Sequence, residues 1–138
     1  SNDAYAYAKR MLEIHSKAYQ EQFGSNFICV IPTNIYGPHD NFHLEDAHVI
    51  PALIQKFHNA KATSSSYVKI WGSGNPLREF LHVDDLGDGV VFALQYWDPN
   101  SKNATLDKEG NPLTILNIGT GKDISIKELG LLFSTSLL

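Results

Sequence analysis

Hydrophobic residues in the first stretch of the chain recur at the spacing of one helix face: Tyr5, Ala8, Met11, Leu12, Ile14, Ala18, Tyr19 and Phe23. This pattern predicts a helix over residues 3–23, stopped by Gly24, a residue that enters the left-handed conformation at little cost. Phe27 to Ile31 is a short, continuously apolar run rich in β-branched residues, which predicts a strand covered on both faces. Pro32 ends it, and a loop is expected to follow through Tyr36-Gly37-Pro38. From His48 to about Ala60 the helical repeat returns, with Ile50, Leu53, Ile54 and Phe57 on the inner side. Tyr67 to Trp71 predicts a second strand and Phe80 to Val83 an extended segment. Asp84 or Asp85 is placed to cap a helix reaching about Trp97. Residues 98–112 are polar and rich in turn formers, an exposed excursion. Thr114 to Ile118 predicts a third strand, and Ser125-Ile126-Lys127-Glu128 is a capping box that opens a last helix.

Strands that alternate with helices predict an α/β fold with a parallel sheet. Three or four short strands are few for this much helix, so the expected architecture is one half of a larger α/β domain. At 138 residues the chain carries enough apolar content for a core. The net charge of −4, with no stripe of Lys or Arg, argues against a nucleic-acid partner. A single cysteine, Cys29, excludes an internal disulfide framework and suits a reducing compartment; inside its strand it is expected as a buried structural thiol. No apolar run reaches membrane-spanning length. The chain opens on Ser1 with no signal-like segment, so the expected location is cytoplasmic, in a protein that continues upstream.

Three stretches carry candidate chemistry. Tyr5 and Lys9 lie one turn apart on the first helix, so a phenol and an ammonium group can meet. A phenol is a poor acid at neutral pH, but a neighbouring cation favours its ionised form, which makes such a pair a proton donor to a carbonyl. The alternative is an aromatic and a cation on a solvated face. His39, His43 and His48 are spaced like loose zinc ligands, but their Pro- and Asn-containing loop lacks a convincing fourth ligand. A single histidine acting as general acid or base is the preferred reading, and no metal is expected. Trp71, followed by a glycine turn and Arg78, offers a flat apolar surface and a guanidinium fork for phosphate. The alternative there is an Arg78–Glu79 surface pair and a core tryptophan. Gly119-Thr120-Gly121-Lys122 lacks the spacing of a phosphate loop and predicts a plain turn before the capped helix.

Together, Tyr5-x-x-x-Lys9, Pro32-Thr33-Asn34-Ile35-Tyr36-Gly37-Pro38, Arg78-Glu79-Phe80-x-His82-Val83-Asp84-Asp85 and Asn117-Ile118-Gly119-Thr120-Gly121 resemble the extended short-chain dehydrogenase/reductases acting on nucleotide sugars. The run from Pro32 to His43 is similar to a branch that epimerises and reduces a GDP-linked 4-keto-6-deoxyhexose. The resemblance implies the C-terminal part of a Rossmann-like doubly wound parallel sheet plus part of a small substrate-binding domain across residues 1–138. It implies NADP(H) as cofactor, a GDP-sugar as substrate and a homodimer through the Tyr5/Lys9 helix. It further implies Tyr5 as the acid, Lys9 as its helper and a cofactor ligand, and His48 as an acid/base group near the cofactor. Pro32, Thr33, Asn34 and Ile35 would contact the nicotinamide end, and Lys56, Trp71 and Arg78 the GDP-sugar. Lys56 departs from the better phosphate fork an arginine would give. The family's Gly-rich loop and its catalytic serine and cysteine would lie upstream of Tyr5, so these residues alone are expected to be inactive. Two alternatives remain: another nucleotide-sugar epimerase or dehydratase, or a non-catalytic product that only pairs with intact subunits.

Overall fold

A computed structural model describes residues 2–137. In chain order the elements are α1 (Asp3–Phe23), β1 (Cys29–Pro32), β2 (Asn34–Tyr36), α2 (Val49–Ala62), β3 (Leu77–Arg78), β4 (Phe80–His82), α3 (Val83–Tyr96), β5 (Ile115–Ile118), β6 (Ile124–Ser125) and α4 (Ile126–Leu137). The chain is α/β, as its alternating pattern predicts, and forms two compact units. One comprises the chain up to Pro32 with Gly87–Ile118; the other comprises Thr33–Leu86 and the chain from Gly119 onward.

In the first unit β1 and β5 pair in parallel, from Cys29 opposite Ile115 to Pro32 opposite Ile118. The Cys29 N–H extends this ladder by donating to the Thr114 carbonyl at 2.8 Å. Helix α1 has the boundaries its pattern predicts, and Gly24 closes it at φ 66°, donating its N–H to the Gln20 carbonyl. No residue of α1 is buried. Leu12 and Ile14 of the predicted inner face remain at least half exposed, because among the described elements only β1 makes sustained contact with the helix. Cys29 is half-buried rather than buried, with Sγ 3.5 Å from the Ser16 hydroxyl oxygen. The polar excursion is anchored at both ends. Asn26 donates to the Asp98 carboxylate at 2.9 Å, and the Trp97 indole N–H donates to the Leu113 carbonyl at 2.9 Å.

In the second unit β2 and β4 pair in parallel, with Ile35 opposite Leu81, while β3 and β6 pair antiparallel, with Arg78 opposite Ile124. Helix α2 packs on α4 through Ile50, Leu53, Phe57 and Leu129, all buried, with Phe57 and Phe133 stacked at 6.0 Å between centroids. Burying a side chain of this size contributes about 1.5–3 kcal/mol each, so this cluster holds the second unit together. The capping box forms as predicted: the Ser125 hydroxyl accepts the Glu128 N–H at 3.2 Å, and the Glu128 carboxylate accepts the Ser125 N–H at 3.0 Å.

Three local expectations differ. The residues 34–36 expected as loop form β2, because Phe80–His82 supplies a ladder for them. Tyr67 to Trp71 forms no strand; Val68 and Ile70 pack against the α2–α4 core as a pleated face would, but the segment has no ladder partner among the described residues. Asp84 and Asp85 lie inside the first turn of α3, where their charge complements the helix dipole, and do not precede it as caps. Among the described residues no helix is long and apolar enough to cross a membrane.

Candidate active site

The first unit carries Tyr5, Lys9 and Pro32. Helical spacing brings Lys9 Nζ to 5.5 Å from the Tyr5 ring centroid, so the ammonium group lies over the aromatic ring on one face of α1, with Tyr5 65% exposed. Pro32 is the last residue of the β1 ladder.

The second unit carries the other predicted residues. Asn34 and Ile35 are the first two residues of β2, and Thr33 precedes them. The Thr33 hydroxyl oxygen is buried with no hydrogen-bond partner among the described residues. His48 is the N-cap residue of α2 in an extended conformation; its carbonyl takes the Ala52 N–H at 3.0 Å, and its imidazole makes no capping bond. The imidazole is thus left exposed at a helix N-terminus. The loop leading into it is tied down by polar bonds. Asp46 accepts from the Asn41 amide at 3.1 Å and meets the His43 imidazole at 2.9 Å, and these two contacts hold its carboxyl below the ordinary aspartate value. His43 is therefore occupied by Asp46.

Lys56 and Trp71 are brought together, with the ammonium 4.1 Å above the indole ring. Burial lowers the Lys56 pKa from its ordinary value, and the charge of Lys69 lowers it further. Trp71 is 61% exposed, so it is not a core tryptophan: one face holds Lys56 and much of the ring is open. Arg78 lies on β3 with Nη1 donating to the Leu77 carbonyl at 2.7 Å. It makes no surface pair with Glu79, whose carboxylate instead accepts the Gly121 N–H at 2.6 Å and the Thr120 hydroxyl at 3.2 Å. Sequence reasoning missed Glu79, Thr120 and Gly121 as site-building residues. The signal lay in an acid between Arg78 and Phe80 and a Gly-Thr-Gly turn, but nothing local joins segments so far apart.

Beyond the carboxyl ends of β2 and β4 lies a mainly apolar cavity of about 290 Å³, walled in part by Tyr36, His82, Phe42, Ile50, Pro51 and Ile54. Tyr36 and His82 meet edge to face at 5.3 Å. Such a position, past the carboxyl ends of parallel strands, is where open α/β sheets bind ligands.

Of the predicted residues, then, Tyr5 meets Lys9 on the first unit, Lys56 meets Trp71 on the second, and the His48 imidazole stands exposed at the N-terminus of α2. The chain belongs to the NAD dependent epimerase/dehydratase family, whose model matches residues 1–119. It is 45% identical over 129 residues to the probable GDP-L-fucose synthase 1 of Oryza sativa subsp. japonica, covering 94% of this chain and 35% of that protein. Among solved structures, a GDP-L-fucose synthetase from Naegleria fowleri bound to NADP matches 98% of this chain and 40% of its own, at 31% identity and a TM-score of 0.77. A GDP-6-OMe-4-keto-L-xylo-heptose reductase from C. jejuni matches 88% of this chain and 42% of its own, at 34% identity and a TM-score of 0.75. The chain thus spans about a third of the length of the curated relative.

Proposed function

We propose that this chain is part of a GDP-L-fucose synthase, a cytoplasmic, homodimeric, NADPH-dependent enzyme. It would convert GDP-4-keto-6-deoxy-D-mannose to GDP-L-fucose by 3,5-epimerisation and 4-reduction. The observation that carries this reading is the 45% identity to a probable GDP-L-fucose synthase along 94% of the chain. The Tyr5–Lys9 and Lys56–Trp71 pairs support it from the geometry. In this reading residues 1–138 hold the later part of the cofactor domain and part of a substrate domain.

The residues fit a nicotinamide cofactor. The buried Thr33 hydroxyl without a partner is a hydrogen-bonding group awaiting one, beside Pro32, Asn34 and Ile35 in sequence. When bound, NADPH supplies the reducing equivalent. Lys9 would hold its nicotinamide ribose. The 4-keto group acidifies both neighbouring carbons of the sugar, so each in turn would lose a proton to a base supplied by the part of the enzyme upstream of Tyr5 and regain one from His48. Tyr5 then gives its proton to the keto oxygen as that carbon is reduced, and Lys9 stabilises the phenolate left behind. Lys56, Trp71 and Arg78 hold the GDP moiety, with Arg78 on the diphosphate.

A second reading, 4-keto reduction of a GDP-linked heptose, draws on the likeness to the heptose reductase. The full-length protein, incubated with GDP-4-keto-6-deoxymannose and NADPH in D2O, separates the two. We expect product carrying deuterium at both C3 and C5. Tyr5→Phe should lower kcat by about 10²–10⁴ with GDP-sugar binding retained, and His48→Gln should suppress deuterium entry. Reduction without deuterium entry, or turnover of a GDP-keto-heptose alone, would favour the second reading.

A further inference from the structure

Glu79 stands between β3 and β4 and joins two segments far apart in sequence. Its backbone carbonyl accepts twice from Asn34, from the N–H at 3.2 Å and from the side-chain amide at 2.8 Å. Its carboxylate Oε1 also accepts twice, from the Gly121 N–H at 2.6 Å and from the Thr120 hydroxyl at 3.2 Å. Gly119 makes this closure possible: a Cβ there would run into the Glu79 carboxylate and come to 2.6 Å from the Thr33 methyl carbon. The Thr33 methyl group is therefore packed toward Gly119, while its hydroxyl oxygen stays buried and unpartnered.

One residue thus fixes the backbone and side chain of Asn34 on one side and the Gly119–Gly121 turn on the other. The turn in turn confines Thr33. We infer that Glu79 is a positioning residue for the nicotinamide end of the cofactor site: it acts through Asn34, Thr120 and Gly121 to hold Thr33 and Asn34 in place. This inference rests on the cofactor role proposed above for Thr33 and Asn34. Bonds to an ionised acceptor are shorter and stronger than neutral ones, which explains an acid rather than an amide at this junction.

The test is the dissociation constant of NADPH, followed by its fluorescence on the full-length protein, beside that of GDP measured by calorimetry. Glu79→Ala should weaken NADPH by about 10–100-fold and GDP by less than about threefold. Glu79→Gln keeps an acceptor oxygen and should recover NADPH binding to within about fivefold of the unmodified protein. Unchanged NADPH binding in Glu79→Ala overturns the inference, as does an equal loss of NADPH and GDP, which would mark general disruption. If Glu79→Ala does not fold, Thr120→Val decides, with NADPH about threefold weaker expected and no change overturning the inference. An unmodified protein that does not bind NADPH overturns the proposed function and this inference together, whereas normal binding with indifferent variants removes Glu79 alone.

Discussion

If Lys56 and Trp71 hold GDP as proposed, the contact between them sets the size of their coupling in GDP binding. An ammonium 4.1 Å from the indole centroid is well inside the range of a cation–π interaction. Exposed pairs of this type contribute about 0.5–1 kcal/mol and desolvated ones about 2. Lys56 is half-buried, with burial the largest cause of its lowered pKa, while Trp71 is 61% exposed, so about 1 kcal/mol is the appropriate figure. That energy holds the flexible lysine in one place over the ring. Removing the ring should therefore forfeit part of the benefit of the lysine, and the two substitutions should not be additive. In a double-mutant cycle on GDP binding, Lys56→Met should weaken binding about tenfold in the unmodified protein, as loss of a charged contact does. In the Trp71→Leu background the same change should cost only about twofold, a coupling of roughly 1 kcal/mol. The assay is titration calorimetry of GDP on the four full-length proteins at fixed ionic strength. Losses that add to within about 0.3 kcal/mol would mean that the ring holds nothing that GDP uses.

Two further outcomes concern the second unit. Phe57→Ala, which opens a hole between α2 and α4 against Phe133, should cost about 3–5 kcal/mol in urea unfolding; a loss below about 1 kcal/mol would mean the aromatic stack is not a packed core. Glu128 has its pKa lowered from 4.5 by the Ser125 hydroxyl and N–H, so its contribution to stability is present above that value and lost as pH falls through the folded value. Unfolding midpoints recorded from about pH 6 down to about pH 3 should therefore fall more gently in Glu128→Gln than in the unmodified protein, and parallel curves would argue against the capping box.

Much of the local structure is legible in the residues. The apolar repeat from Tyr5 to Phe23 marks α1 and the glycine after it fixes its end, and Ser125 with Glu128 marks the start of α4. Both signals act over a few residues, so sequence alone resolves them. Strand pairing does not act locally. Asn34–Tyr36 is too short to show a period and becomes a strand through Phe80–His82. Tyr67–Trp71 alternates as a strand should, and Val68 and Ile70 do turn toward the core, but alternation reports which side is covered and not whether a neighbour offers a ladder. The same limit hid the Glu79 clasp. The helical pairing of Tyr5 with Lys9 was predictable from spacing, whereas the contact of Lys56 with Trp71 needed the fold.

Neither compact unit is a continuous stretch of chain, and this dictates an order of assembly. The β1–β5 ladder needs Cys29–Pro32 to wait for Ile115–Ile118, so on a ribosome the first unit can close only after the Thr33–Leu86 part of the second has been synthesised. The β2–β4 ladder, whose partners are much nearer in sequence, can form earlier and with a smaller loop-closure cost. Until Ile115–Ile118 emerge, β1 lacks its β5 partner. Nascent chains stalled before that point should be the ones that recruit chaperones.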